Sequence, residues 1–177
     1  MTMNHLMIDI ETIDVNPTAV ILSIGAQGFD PFSTQFSQDT YYERFTMESQ
    51  DDRTIDDSTI KWWSEQSQSA QDEAFGEGGQ PRITLEDGLT KLSKMIWKNN
   101  TIWANGISFD MPIIEHALKQ HEMSVPWKYW QVMDTRTIYR LVPEIGKLGN
   151  NHNALADCVN QIDLLQKALK ILNIKKI

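Results

Sequence analysis

The chain has 177 residues, 41% of them hydrophobic, and a formal net charge of −8. That length suits one domain with a sizeable core, and the acidic balance excludes a broad basic face of the kind that grips duplex nucleic acid by neutralising phosphates. The charge is uneven, because residues 1–60 hold eleven Asp or Glu against only Arg44 and Arg53, while the remainder carries thirteen acids and fourteen bases.

The first residues have no basic n-region and no long apolar run, so neither a signal peptide nor a transmembrane helix is expected, and the expected location is the cytoplasm. Residues 5–11 and 19–29 read as strands joined by a turn containing Asp14, Asn16 and Pro17, and a third strand alternates through "TQFSQDTYYERF". From Asp56 the pattern turns helical, with Ile60 and Trp63 three apart on one face and Asp57 or Ser58 as the cap. Gly76–Gly79 reads as a loop before a helix over about residues 84–98.

"TIWAN" (101–105) is a short strand, followed by a turn at Gly106 and a helix opening near Asp110 with Pro112 in its first turn. A further strand-to-helix step falls in "YWQVMDTRTIYRL", where Asp134 and Thr135 are set to cap the helix. The last helix spans roughly Asn153 to Leu172, with Leu155, Val159, Ile162, Leu165, Leu169 and Leu172 as its apolar stripe and the single cysteine, Cys158, in a core position. Hairpin strands followed by strand-helix alternation predict an α/β domain with a mixed sheet.

Four acids stand out against this outline. Asp9 and Glu11 are two apart in the first strand, so they share a face. Asp110 opens a helix after a strand, and Asp157 sits one turn into the last helix. Strand ends and helix starts converge at one edge of an open α/β sheet, where ligand sites form. Carboxylates held that close must take up a proton or bind a cation. Oxygen ligands without thiolates favour magnesium or manganese, and two such ions can hold a phosphodiester and stabilise its attacking and leaving oxygens.

His152 and Asp157 on one regular helix would point about 140° apart. His152 is therefore assigned to the Gly- and Asn-rich loop "EIGKLGNNHN", from which an imidazole titrating near neutrality can take a proton from water. Read singly, Asp9 and Glu11 also fit a solvated edge strand, Asp110 a helix cap, Asp157 plain surface and His152 a loop residue without a role. Trp62 and Trp63 are candidates for base stacking, with at least one of them in the core, and Trp103 is assigned to the core. Phe109 and Asn105 are candidates at the mouth of the site, and Arg136 and Arg140, one turn apart, are candidate phosphate contacts.

The runs "MIDIET", "NGISFDMPII" and "HNALAD" together resemble, in order and spacing, the three motifs of the DEDDh group of DnaQ-like and RNase T-like 3′-to-5′ exonucleases on the ribonuclease H-like fold. Asn153, four before Asp157, separates the chain from the tyrosine variant of that superfamily. "STIKWWSEQ" and "WANGISFD" bring it nearest the phage and prophage exonuclease A-like group. The resemblance implies a mixed sheet, antiparallel in its first three strands and then parallel, flanked by helices, in one exonuclease domain over residues 1–177. It implies that Asp9, Glu11 and Asp157 bind two Mg²⁺ or Mn²⁺ ions directly, with Asp110 acting through water or the second ion and His152 as general base. Thr12 would hold the terminal 3′ nucleotide through its backbone. The implied substrate is the 3′ end of single-stranded DNA or RNA, released as 5′-mononucleotides. Related small exonucleases are often homodimers, whereas the residues leave the oligomeric state and the choice of DNA or RNA open. A silent binding module of the same fold and a ribonuclease H-like endonuclease are the competing readings.

Overall fold

The computed structural model describes residues 4–99, 101–146, 149 and 152–177. Its centre is a six-stranded sheet in the order β4-β3-β2-β1-β5-β6. β1 (His5–Thr12), β2 (Ile21–Phe29) and β3 (Phe36–Phe45) form an antiparallel group, as their hairpin spacing predicts. β4 (Arg82–Ile83) adds in parallel to β3, while β5 (Thr101–Ala104) pairs in parallel with β1 and with β6 (Val132–Asp134). The parallel strands need helical crossovers, and the helices supply the cover for both faces.

Alternation along β1 divides its side chains between two cores. Leu6, Ile8 and Ile10 pack with α3 (Leu85–Ile96) and α4 (Ile107–Gln120) in the main cluster. Met7, on the opposite face, joins Cys158, Ile162, Leu165 and Leu169 of α6 (Ala154–Ile171), with Ile138 and Tyr139 of α5 (Thr135–Arg140) packed alongside. Asp9 and Glu11 continue the Met7 face and therefore look towards α6. A third, smaller cluster joins Trp63 of α1 (Asp57–Ser64) and Ala70 and Ala74 of α2 (Gln68–Phe75) to Ile13, Val20 and Leu22.

Several expectations are corrected. β2 begins at Ile21, because Ala19 is engaged in an isolated bridge with Thr54. The cap of α1 is Asp56, whose carboxylate accepts from the Ser58 and Thr59 N–H groups, and Ile60 is exposed while Trp63 is buried. α4 opens at Ile107 behind Gly106, whose φ of 112° suits a residue without a Cβ. Asp110 is thus in the first turn rather than at the cap, and Pro112 falls inside the helix. On α6 the buried face is carried by Cys158, Ile162, Leu165 and Leu169, while Val159 turns to solvent and Leu155 and Leu172 are only partly covered. Asp157 is buried, not solvated surface. Asp134 does cap α5, accepting from the Arg136 N–H, and also from the Gly106 N–H at 3.0 Å. Trp103 is fully buried, its indole N–H donating to His5 Nδ1 at 3.0 Å.

Candidate active site

A cavity of about 680 Å³ opens over the C-terminal end of β1. Its walls come from β1 (Asp9, Glu11, Thr12), α1 (Trp62, Trp63), α6 (Asp157, Gln161), Asn105 and Phe109 after β5, and His152 from the loop before α6. Carboxylate oxygens of Asp9, Glu11 and Asp157 all lie within 4.8 Å of one another.

The backbone explains this convergence. Asp9 is paired across the ladder with Gly25, and a Cβ on Gly25 would collide with the Ala154 carbonyl and the Leu155 nitrogen. The missing side chain lets the first turn of α6 settle on β2, which carries Asp157 over Asp9. Asn153 fixes that turn by accepting the Ala156 N–H at 2.9 Å. At the other end of the pair the β1–β2 register shifts between Glu11 and Thr12, an irregularity of the kind that re-aims side chains beside active sites.

Asp110 does not line the cavity with the other three. β1 and β5 part after the Met7–Trp103 pair, and Asp110, 4% exposed, accepts the Ile10 N–H beyond that point. Burial pushes its carboxyl up to about 7, against the lowering effects of its own and the Ile10 backbone N–H and of the Arg136 guanidinium. It remains close enough to act on its neighbours. Asp9 is raised well above the usual carboxylate range by burial, then by the charges of Asp110 and Glu11. Burial followed by repulsion from Asp157 and Asp110 pushes Glu11 up to about 8. Such a set holds protons near neutrality or exchanges them for a cation, and its all-oxygen donors fit a hard divalent ion.

His152 has a φ of 51°, a left-handed conformation that aims its ring back into the cavity, where it meets Trp62 and Trp63 edge to face at centroid distances of 5.0 and 5.6 Å. Burial holds its imidazolium below the usual pKa, and Asp157 pulls the other way. A base of this kind is mostly neutral at pH 7 and ready to accept a proton.

The two tryptophans divide their labour. Trp63 is 1% exposed, and its Nε1–H donates to the Thr12 carbonyl at 2.9 Å, pinning the end of β1 to α1. Trp62 is 42% exposed and presents its ring to the cavity. Thr12 is buried, with its hydroxyl donating to the Asp14 carbonyl at 2.7 Å. Asn105 and Phe109 both line the cavity. Arg136 reaches the site only indirectly, donating to the Asn105 carbonyl at 2.9 Å, and neither it nor Arg140 lines the cavity.

Gln161 is the residue that motif reading passes over. Its Nε2 donates to Asp9 Oδ1 at 2.7 Å. The available signal was its position four residues after Asp157, which places the two on one face of α6.

A mixed sheet that brings two strand carboxylates, two helix carboxylates and a loop histidine to one strand end defines a ribonuclease H-like 3′-5′ exonuclease of the DEDDh type. Within that class the chain belongs to the family of the 3′-5′ exoribonuclease Rv2179c-like domain, whose model matches residues 4–169. The chain is 26% identical to an exodeoxyribonuclease of Enterobacteria phage T4 over 208 aligned residues, covering 95% of this chain and 90% of the phage protein. Among solved structures, it is similar to the zinc-bound E. coli exonuclease I complex with single-stranded DNA (15% identity, TM-score 0.68, 94% of this chain) and to S. pombe Pop2p with Mg²⁺ and Mn²⁺ bound (15% identity, TM-score 0.63, 94% of this chain and 83% of Pop2p). The chain spans only 40% of the length of exonuclease I. Among the described residues, no helix is long and apolar enough to cross a membrane.

Proposed function

We propose that residues 1–177 form one cytoplasmic exonuclease domain that shortens single-stranded DNA or RNA from its 3′ end and releases 5′-mononucleotides. The observation that carries this reading is the meeting of Asp9, Glu11 and Asp157 within 4.8 Å, in a cavity that His152 also lines. Asp9, Glu11 and Asp157 would hold two divalent cations, Mg²⁺ or Mn²⁺, with Asp110 as the further acidic partner. When bound, these ions would supply positive charge against the scissile phosphate, ease loss of a proton from the attacking water and stabilise the departing oxygen.

The chain's own groups do the rest. His152 takes the proton of the attacking water at its ring nitrogen, for which its depressed pKa suits it. Thr12 and the α1 wall close the space beyond the terminal nucleotide, which accounts for a need for a free 3′ end. Trp62 and Phe109 offer ring faces for the last bases, and Asn105 a polar contact to sugar or phosphate. The acidic net charge is compatible with this chemistry because the substrate meets a narrow site whose field the cations reverse. The names of the relatives include both an exoribonuclease and an exodeoxyribonuclease, so the sugar is left to experiment.

Matched DNA and RNA oligonucleotides labelled at the 5′ end, incubated with Mg²⁺ or Mn²⁺, should shorten progressively from the 3′ end, and Asp9→Ala should not shorten them. A circular single strand cut as fast as a linear one would replace exonuclease with endonuclease. Wild-type rates in Asp9→Ala would remove the site assignment. The monomer or homodimer state is read by light scattering on the same preparation.

A further inference from the structure

Gln161 is 3% exposed and lines the active-site cavity, yet only half of its amide is satisfied. Nε2 donates to Asp9 Oδ1 at 2.7 Å, while Oε1 is buried with no hydrogen-bond partner among the described residues. A buried amide oxygen left unpaired is costly, and native proteins keep few of them without a water, an ion or a ligand to account for the vacancy. With Asp9 ionised, as it would be beside a cation, the amide cannot be turned round, because that would set its oxygen against a carboxylate oxygen.

What Oε1 requires is a donor, and the acidic groups that gather beside Gln161, namely Asp9, Glu11 and Asp157, are acceptors once ionised. Once those groups are ionised, the missing hydrogen must come from something that enters the cavity. Water bound to a divalent cation is the donor that this carboxylate set would itself recruit, and its O–H groups are polarised by the ion.

We propose that Gln161 is a positioning residue for the cation site: its Nε2–H fixes the Asp9 carboxylate by one oxygen, leaving the other for the cation, and its Oε1 accepts a hydrogen bond from a water in the hydration shell of that cation. The inference rests on the divalent-metal reading above. It goes beyond it by assigning a fifth polar group, from α6, to the support of the acidic set.

The test uses the 177-residue chain without nucleic acid and Mn²⁺ as the probe, with free Mn²⁺ followed by electron paramagnetic resonance. Gln161→Leu should weaken Mn²⁺ binding by roughly 10- to 100-fold, the usual consequence of losing a group that supports metal ligands. Its metal-free thermal midpoint should stay close to that of the wild type, since removal of the unsatisfied Oε1 offsets loss of the Nε2–H bond to Asp9. Gln161→Met, which keeps the length of the side chain, should behave alike and controls for a packing defect. Binding within twofold of wild type in either folded variant overturns the proposal, as does a lowered metal-free midpoint with unchanged Mn²⁺ affinity, the signature of a purely structural glutamine. A wild type that binds no Mn²⁺ would fail the metal reading and this role together, whereas wild-type binding retained in the variants fails the Gln161 role alone.

Discussion

Removing divalent ions should make this protein lose stability as the pH rises from about 5 to about 8, the reverse of the usual acid side of a stability curve. The cause is Glu11, whose carboxyl is raised from 4.5 to about 8 by burial and by the charges of Asp157 and Asp110. The folded state then binds a proton that the unfolded chain has already released, so within that window the unfolding free energy falls with increasing pH. A rise from 4.5 to about 8 corresponds to roughly 5 kcal/mol at full development, or on the order of 10–20 °C in Tm for a chain of this size. Asp9 is shifted in the same direction and deepens the slope. With saturating Mn²⁺ the ionised carboxylates gain a partner found only in the folded state, and the loss should be recovered. Urea titrations in EDTA and in Mn²⁺ at pH 5, 6.5 and 8 measure both effects. Glu11→Gln should be more stable than wild type at pH 8 in EDTA and should respond less to Mn²⁺. Stability in EDTA that is flat or rising across this range, or a Glu11→Gln variant less stable than wild type at pH 8, would refute the reasoning.

Gly25→Ala should destabilise the protein by about 1–3 kcal/mol or more, because the added methyl meets the backbone of Ala154 and Leu155 rather than a flexible side chain; urea denaturation checks this, and unchanged stability would mean that α6 can ride up at no cost. Trp63→Phe leaves the buried Thr12 carbonyl without its indole donor, an expected loss of about 1–3 kcal/mol in thermal or chemical denaturation. His152→Ala should lower the single-turnover rate by roughly 10²- to 10⁴-fold with an unaltered circular dichroism spectrum, and a loss below tenfold would assign proton removal to another group.

The acidic pair on β1 was legible because strand periodicity alone puts Asp9 and Glu11 on one face, and the mixed sheet followed from hairpin spacing and later strand-helix alternation. Asp110 was expected at the site but misplaced locally: the left-handed Gly106 starts α4 earlier than Asp110, so the carboxylate is carried inward to the Ile10 N–H instead of capping the helix. α2 and β4 escaped notice, the first because its polar sequence hides two buried alanines and the second because two residues carry no periodicity. Gly25 carried no sequence signal, and Gln161 only its place one turn after Asp157, for a different reason. Their roles depend on which surfaces meet, α6 against β2 and against Asp9, and such meetings are decided by the tertiary fold rather than by any local pattern.

The small cluster that joins Trp63, Ala70 and Ala74 to Ile13, Val20 and Leu22 has a dynamic consequence. It attaches the tryptophan wall of the cavity to the sheet through far less apolar surface than anchors the acidic floor, and free energies of local opening follow such differences. The floor and the wall therefore belong to units of unequal stability. The amides of α1 and α2 should exchange with solvent through openings of lower free energy than those of β1 and α6, so that the tryptophan wall loosens before the acidic floor does.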